Sequence, residues 1–399
     1  MNDFVILLTL GIFSLSQAEE SQVVKEFSTG YDRFSAGVYR ELLKTNSGNF
    51  LVCPLSVDIV LALTDRGAKG QTAKEISETL GLPDSFEKVN EIFTTVALSL
   101  QSNDKYELSS ANKVYVKEGF EICNNFKSTA VDVFKAEIQN IDFEKNVEAA
   151  NEINKWVEDK THEKIKDLIS PGFLNKLTRS VLVNAIYFRG NWTQPFDEKA
   201  TQKRPFYLNA NKDIDTDMML SYGHYYNYYE SSKLNTKFLE LPYEGEDISL
   251  HIVLPNERDG LAALEGKIED VLIPPNYQSE EVNVELPKFK IESSIEFKPI
   301  LKTLGIKLAF QDEADFSGIG AKRESLTISN VIQKAFIEVE EKGTTAAAAS
   351  AVIVEEAELL EVSPIPPKEF YANHPFIFYL RLNKLGLNLF IGTYKSPQN

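Results

Sequence analysis

Cysteine and histidine are scarce, with two of the first and four of the second in 399 residues. Two cysteines allow one disulfide at most, and Cys53 and Cys123 both sit in apolar-rich stretches, where a small buried thiol is the plain reading and a bridge between them the alternative. None of His162, His224, His251 and His374 stands in a catalytic frame. His162-Glu163 opens like a zinc-protease motif, but Lys166 holds the place of the second imidazole, so paired ligands on one helical face are excluded and His162 reads as a solvated helix residue. A Gly-x-Ser-x-Gly elbow, a phosphate-cradling loop, a dinucleotide glycine fingerprint and cysteine–histidine zinc spacing are also missing. The chain is therefore read as no enzyme, with no metal and no cofactor expected. Positive charge is in short supply as well: 42 Lys and Arg against 59 Asp and Glu give a net charge of −17, and the basic residues do not cluster. That excludes the footprint of a nucleic-acid binder and argues against a heparin-like polyanion, leaving the acidity to solubility.

Long Pro/Gly/Ser linkers and fixed-period repeats are absent too, so one large domain is expected over residues 19–399. The composition, 43% apolar and 11% aromatic, suffices for a sizeable core. Residues 1–18 join an apolar run, Phe4 to Leu15, to Ser16-Gln17-Ala18, whose small first and third residues suit signal-peptide cleavage before Glu19. Asp3 replaces the usual basic flank. No later segment reads as membrane-spanning, so a secreted, extracellular, monomeric protein with no membrane partner is the expectation. The one glycosylation sequon, Asn191-Trp192-Thr193, borders apolar strand-like residues, and burial there would leave Asn191 unmodified.

The first third reads mainly as helix. Phe34, Val38, Leu42 and Leu43 share helical spacing, as do Ile59, Val60 and Leu63 in a segment that Pro54 helps to start. A further helix is predicted from about Val147 to Ile169, with Ile153, Trp156 and Val157 as its apolar stripe. Strands follow at Val181 to Phe188, Phe238 to Leu241, Leu250 to Leu254 and the alternating Val282 to Leu286. Pro375 to Leu382 and Leu387 to Tyr394 flank a short turn suited to a hairpin. Helices first and antiparallel strands later argue for an α+β fold.

The informative stretch runs from Glu338 to Val354 and changes character at Gly343. Before that glycine, Val331, Ile332, Phe336, Ile337 and Val339 read as a buried strand; after it come tiny residues, then β-branched ones, then glutamates. Every second residue from Thr344 gives Thr, Ala, Ala, Ser, Val, Val, a face without charge, proline or ring that could enter a packed sheet. By composition alone, Ala346 to Ala351 reads rather as a helical turn or a linker than as an entering strand.

Glu341-Lys342-Gly343-Thr344-Thr345-Ala346-Ala347-Ala348-Ala349-Ser350 resembles the hinge of inhibitory serpins. Phe370 to Leu380, Asn49 to Ser56 and Val183 to Trp192 resemble further motifs of that family, so the resemblance covers nearly the whole chain. It implies a serpin fold of three β-sheets and about nine helices, with an exposed reactive-centre loop at about residues 341–367 that inserts into the largest sheet after cleavage. The implied activity is suicide-type inhibition of an extracellular serine protease through a covalent complex. A cysteine protease as target, or a non-inhibitory carrier, storage or chaperone role, are the alternatives, although no bulky, charged or proline residue at 344–352 blocks insertion.

By the same resemblance, Trp192 and Thr193 lie where the hinge first enters, and Ser56 and Asn184 sit beneath the opening sheet. Gln333 stands where many members have histidine, which removes a proton-sensitive shutter but keeps a bridging amide. Lys288 and Glu341 match a salt-bridging pair at the loop base, worth roughly 0 to 1 kcal/mol if exposed. Counting from the hinge puts the scissile bond at Ala357-Glu358; because the prolines at Pro364 to Pro367 come late, Leu359-Leu360, Leu360-Glu361 and Val362-Ser363 are alternatives. No Lys or Arg lies between Lys342 and Lys368, so a trypsin-like pocket has nothing to seat, while Ala357 suits an elastase-like and Leu359 or Leu360 a chymotrypsin-like one.

Overall fold

The apolar run at Val181 to Phe188 becomes the centre of a six-stranded sheet, buried on both faces as a run without alternation requires. In the computed structural model, which describes residues 25, 27–209, 211–320, 326–344 and 366–397, this sheet has a fixed order. It runs β10 (Phe289–Glu296), β11 (Asn330–Glu340), β12 (Gly343–Thr344), β4 (Ser180–Asn191), β2 (Tyr106–Lys117) and β3 (Glu137–Ile141). The two-residue β12 lies between β11 and β4 at one end only. Beyond it those two long strands pair directly and in parallel, from Asn330 opposite Val181 to Phe336 opposite Tyr187.

The remaining strands form a nine-stranded array. Its path is β1 (Phe50–Val52), β15 (Leu387–Tyr394), β14 (Phe376–Leu382), β8 (Ile248–Pro255), β7 (Thr236–Pro242), β6 (Lys212–Ser231), β9 (Gln278–Pro287) and β13 (Lys368–Tyr371), with β5 (Gln202–Asn209) also on β6. The second and third sheets of the expected fold are joined here because β6 runs through both. Its register with β9 shifts between Ser221 and His224, and Gly223 supplies the left-handed φ of 74° at that break. The hairpin of β14 and β15 stands where its turn was predicted.

Nine helices are present among the described residues. The first, α1, covers residues 27–45. Next come α2 (Pro54–Asp65), α3 (Gly70–Leu80), α4 (Phe86–Ser99), α5 (Asn124–Asp132) and α6 (Asn146–Lys160), then the short α7 (Leu261–Glu265), α8 (Ile268–Val271) and α9 (Lys298–Leu304). Helix α2 starts with Pro54 in its first turn, where the missing N–H costs nothing, and is buried along its whole length. Helix α6 stops nine residues short of the predicted Ile169. Thr161 closes it, its Oγ1 donating to the Val157 carbonyl and accepting from the Ile165 amide, and His162 and Glu163 then turn left-handed. Ile165, Leu168 and Ile169 keep their apolar surface buried from the following loop. His162 is thus a turn residue, its Nε2 2.7 Å from Glu107 Oε1.

Two apolar clusters divide the core. The larger joins α1, α2 and the nine-stranded array to one face of the six-stranded sheet. In the smaller, Ile153 and Val157 of α6 and Ile165, Leu168 and Ile169 of the loop after it cluster with Val181, Val183, Ile332 and Phe336 on the other face, and Lys334 of β11 donates to the Lys166 carbonyl of that loop at 2.5 Å. Cys53 and Cys123 are both free, and burial pushes the Cys53 thiol up to about 12. Among the described residues no helix is long and apolar enough to cross a membrane.

Candidate functional site

The chain leaves β11 at Glu340, turns through Glu341-Lys342, and enters the sheet again as Gly343–Thr344 between β11 and β4. Gly343 faces Asn191 and Thr344 faces Gly190, so two of the residues expected at the hinge are already a strand. A Cβ at position 343 would stand 2.0 Å from the Gly190 carbonyl oxygen and 2.7 Å from Asn191 Cα, both backbone atoms with no room to give. Only glycine fits this entry point. Thr344 is fully buried and its Oγ1 lies 2.5 Å from Tyr243 Oη.

A collar of aromatic and backbone contacts holds the entry. Trp192 donates its Nε1–H to the Glu340 carbonyl at 2.9 Å and its amide to the Lys342 carbonyl at 2.9 Å. Its ring stacks on Tyr243, with centroids 4.4 Å apart. The Phe196 amide donates to the Glu341 carbonyl at 2.8 Å, and the Thr193 amide to the Pro242 carbonyl at 2.9 Å. Trp192 and Thr193 therefore sit beside Gly343–Thr344, and Asn191 is exposed although its backbone pairs with Gly343. Tyr243 was not singled out in the sequence. Its signal is a bulky ring directly after Pro242, at a strand end where a hydroxyl needs a buried partner.

Lys288 Nζ lies 2.9 Å from Glu341 Oε2, and Thr201 Oγ1 donates to Glu341 Oε1 at 2.7 Å. Burial raises the Glu341 carboxyl, but hydrogen bonds from Lys288, Thr201 and the backbone, with the Lys288 charge, together hold it below its ordinary range. With the Glu341 side chain only 8% exposed, the pair is firmer than the exposed pair considered above. Lys342 adds a second tether, to Glu198 at 3.0 Å.

Deeper in the sheet, Gln333 ties three elements together. Its Oε1 accepts from the Cys53 amide at 2.9 Å, and its Nε2 faces the Cys53 carbonyl at 2.7 Å, Ser56 Oγ at 3.0 Å and Asn184 Oδ1 at 2.9 Å. Ser56 Oγ lies 2.5 Å from Asn184 Oδ1, and Asn184 Nδ2 donates to Asn112 Oδ1 at 2.5 Å. The Gln333 amide bridges these elements, and Asn112 on β2 extends the network to a fourth. Parting β4 from β11 would separate Asn184 from Gln333, so this cluster latches the seam.

The remaining hinge residues, Thr345, Ala346, Ala347, Ala348, Ala349 and Ser350, lie outside the described residues. So do the candidate bait residues Ala357, Glu358, Leu359, Leu360, Glu361, Val362 and Ser363, and the leader at 1–18. No group of three or more His, Cys, Asp or Glu side chains suited to a metal ion occurs among the described residues.

Residues 29–397 match the profile of the family Serpin (serine protease inhibitor). Antichymotrypsin-2 of Bombyx mori is 40% identical over 370 residues, spanning 92% of this chain and 96% of that protein. Antitrypsin of Bombyx mori is 38% identical over 99% of this chain and 100% of its own length. Among solved structures, Serpin48, a highly specific serpin of the insect Tenebrio molitor, superposes with a TM-score of 0.87 at 43% identity, covering 94% of this chain and 99% of that one. The sheet entry at Gly343–Thr344, the latch at Gln333 and these matches agree: the chain belongs to the serpin family.

Proposed function

We propose that the protein is a suicide-type inhibitor of a serine protease, acting by cleavage and insertion of the segment that follows Thr344. The observation that carries this reading is Thr344 itself, fully buried between β11 and β4 with the seam continuing beneath it. A protease serine attacks a loop carbonyl between Ala357 and Ser363 and forms an acyl-enzyme. The freed hinge then follows Thr344 down the seam as a new strand. One β4–β11 ladder is exchanged for two ladders flanking the new strand, a net gain of one set of bonds at about 0.5–1.5 kcal/mol each. The alternate face Thr344, Ala346, Ala348, Ser350, Val352, Val354 brings no charge into the packed layer. The protease, dragged along on its ester, is held in a distorted acyl state.

The target seats a small or apolar residue. No Lys or Arg lies between Lys342 and Lys368, so the specificity stated in the name of the antichymotrypsin relative fits this loop better than that of the antitrypsin relative. Residues 1–18 act as a secretion signal removed before Glu19, placing inhibitor and target outside the cell.

Incubation with an elastase-like, a chymotrypsin-like and a papain-like protease tests this. The expected result is a denaturant-stable complex with one of the two serine enzymes and release of a C-terminal peptide beginning between Glu358 and Ser363. Clean cleavage by all three without a complex would overturn the inhibitor reading, and a complex with the papain-like enzyme alone would move the target to the cysteine class.

A further inference from the structure

The slot that β12 enters has a fixed depth. Gly343 opposite Asn191 and Thr344 opposite Gly190 set a register in which each further residue of the loop meets the next residue back along β4. Carried down the strand, that register puts Val354 opposite Ser180, the first residue of β4, and the register with β11 puts Ile353 opposite Asn330, the first residue of that strand. The uncharged stretch 343–354 is therefore as long as β4 with its 12 residues, and the first charge after Lys342 is Glu355, just where the slot ends. A composition suited to burial stops where burial would stop.

The foot of the slot is basic. One residue further, the same register sets Glu355 opposite Arg179. Arg179 lies directly before β4, its amide donating to Ser329 Oγ at 2.9 Å and its carbonyl accepting from the Lys117 amide at 2.9 Å, so its backbone is tied on both sides. The residue is half-buried, and among the described residues its side chain makes no ion pair, hydrogen bond or ring contact. Beside it at the end of β2, Lys117 has Glu144 at 3.8 Å. Two cations thus sit side by side, one of them unpaired, in a chain whose net charge is −17. Alternation gives them one face: Tyr115 and Val181, two residues along from each, belong to the smaller cluster beneath α6, whereas Thr344 meets Tyr243 of the larger core. Odd-numbered residues of an inserted strand, Glu355 included, therefore share the face of Arg179.

We propose that Arg179 is the terminal seat of the inserted strand: after cleavage Glu355 arrives opposite it on the same face, and the ion pair fixes where the strand stops. The inference rests on the insertion reading above and names the residues that set the register of the new strand. A register needs such a device here. Ala346, Ala347, Ala348, Ala349 and Ala351 carry almost no side-chain information, and a slip of two residues would keep the same face inward, so the run itself pins nothing. Thr344 fixes the register at the top of the slot, and a pair of opposite charges across the ladder fixes it at the foot, where like charges would oppose it.

The test uses the chain from Glu19 onward, cut in its loop by a catalytic amount of protease at a bond after Glu356, the bond being verified from the first residue of the released peptide. Thermal unfolding of cut and uncut chains is then followed at low salt in a fixed concentration of urea. The wild type is expected to gain heat resistance on cleavage. In Glu355→Lys the cut form should unfold about 1–3 °C below the cut wild type while the uncut form is unchanged. Glu356→Lys, one residue past the slot and on the other face, should lose less than half as much. Arg179→Glu should lower the cut form as Glu355→Lys does, and the two changes together should restore it, which a merely structural role of either residue would not do. The comparison of Glu355→Lys with Glu356→Lys decides the matter even where Arg179→Glu fails to fold. Equal losses in those two loop variants, or no restoration in a folded double variant, overturns the seat. A wild type that gains no heat resistance on cleavage overturns insertion itself, and the seat with it.

Discussion

Asp58 lies in the middle of α2, fully buried, and both carboxylate oxygens lack a hydrogen-bond partner among the described residues. Burial pushes its carboxyl well above the ordinary range. The folded chain thus holds the proton more tightly than the unfolded one, so the contribution of this group is intact below the unfolded value of about 3.9 and is lost as pH rises toward the folded value. Asp58→Asn is expected to match the wild type in urea unfolding near pH 3.5 and to be the more stable of the two at pH 7, with the gap widening between. A gap constant with pH would show that the proton plays no part. The sequence could not announce this residue. Ile59, Val60 and Leu63 mark one face of α2, and a polar neighbour reads as the wet side, whereas the helix proves to be buried all round. Gln333 was legible only through its place in a motif, because an amide carries no sign of the four contacts it will make. Tyr243 had no motif at all, since its value comes from a contact with Thr344 across 101 positions of chain.

Elements were legible where periodicity and burial coincide. Strands β4, β7, β8, β14 and β15 are apolar enough to be marked out, and all five appear where predicted. Strand β2 carries no such mark, in a third of the chain that reads mainly as helix. Its centre reads Ser109-Ser110-Ala111-Asn112-Lys113, small and polar, and even Lys113 is buried, lying over the Tyr115 and Trp156 rings at 4.9 Å from each. Sheet pairing on both sides, not intrinsic preference, makes it a strand. The two-residue β12 is the extreme case, since it exists only because β11 and β4 leave a slot its own size. Gly343→Ala tests that statement. The added methyl meets backbone on β4, so β12 should be expelled, with a loss of about 1–3 kcal/mol and a change in the emission of Trp192, whose ring borders the slot. Unaltered Trp192 emission in the variant would mean that the slot accommodates a side chain.

For the whole molecule, the six-stranded sheet is a lock with three parts in line. Thr344 sits at the open end, the Gln333–Asn184–Ser56 latch lies farther along the seam, and an apolar layer from α6 and the loop after it, Ile153, Val157, Ile165, Leu168 and Ile169, packs on the other face. On the proposed mechanism, full insertion would have to break the latch and pass beneath that layer, and would proceed only if each entering inward side chain is tolerated by a packed, apolar core. Thr344 is the first of these, and its environment is on view: no exposure, one hydroxyl partner and a stacked aromatic pair beside it. Thr344→Arg would place an unpaired guanidinium there, at a cost of several kcal/mol that the ladder must repay before it gains anything. Insertion then falls behind hydrolysis of the acyl-enzyme, and the inhibitor becomes a substrate. The expected readout is a strong rise in inhibitor molecules cleaved per enzyme inhibited, with the cleaved variant no more resistant to heat than the uncleaved one. Thr344→Val is the control. It removes only the hydroxyl contact with Tyr243 and should still form the stable complex and gain heat resistance on cleavage. Equal inhibition by Thr344→Arg and the wild type would sink insertion through this slot.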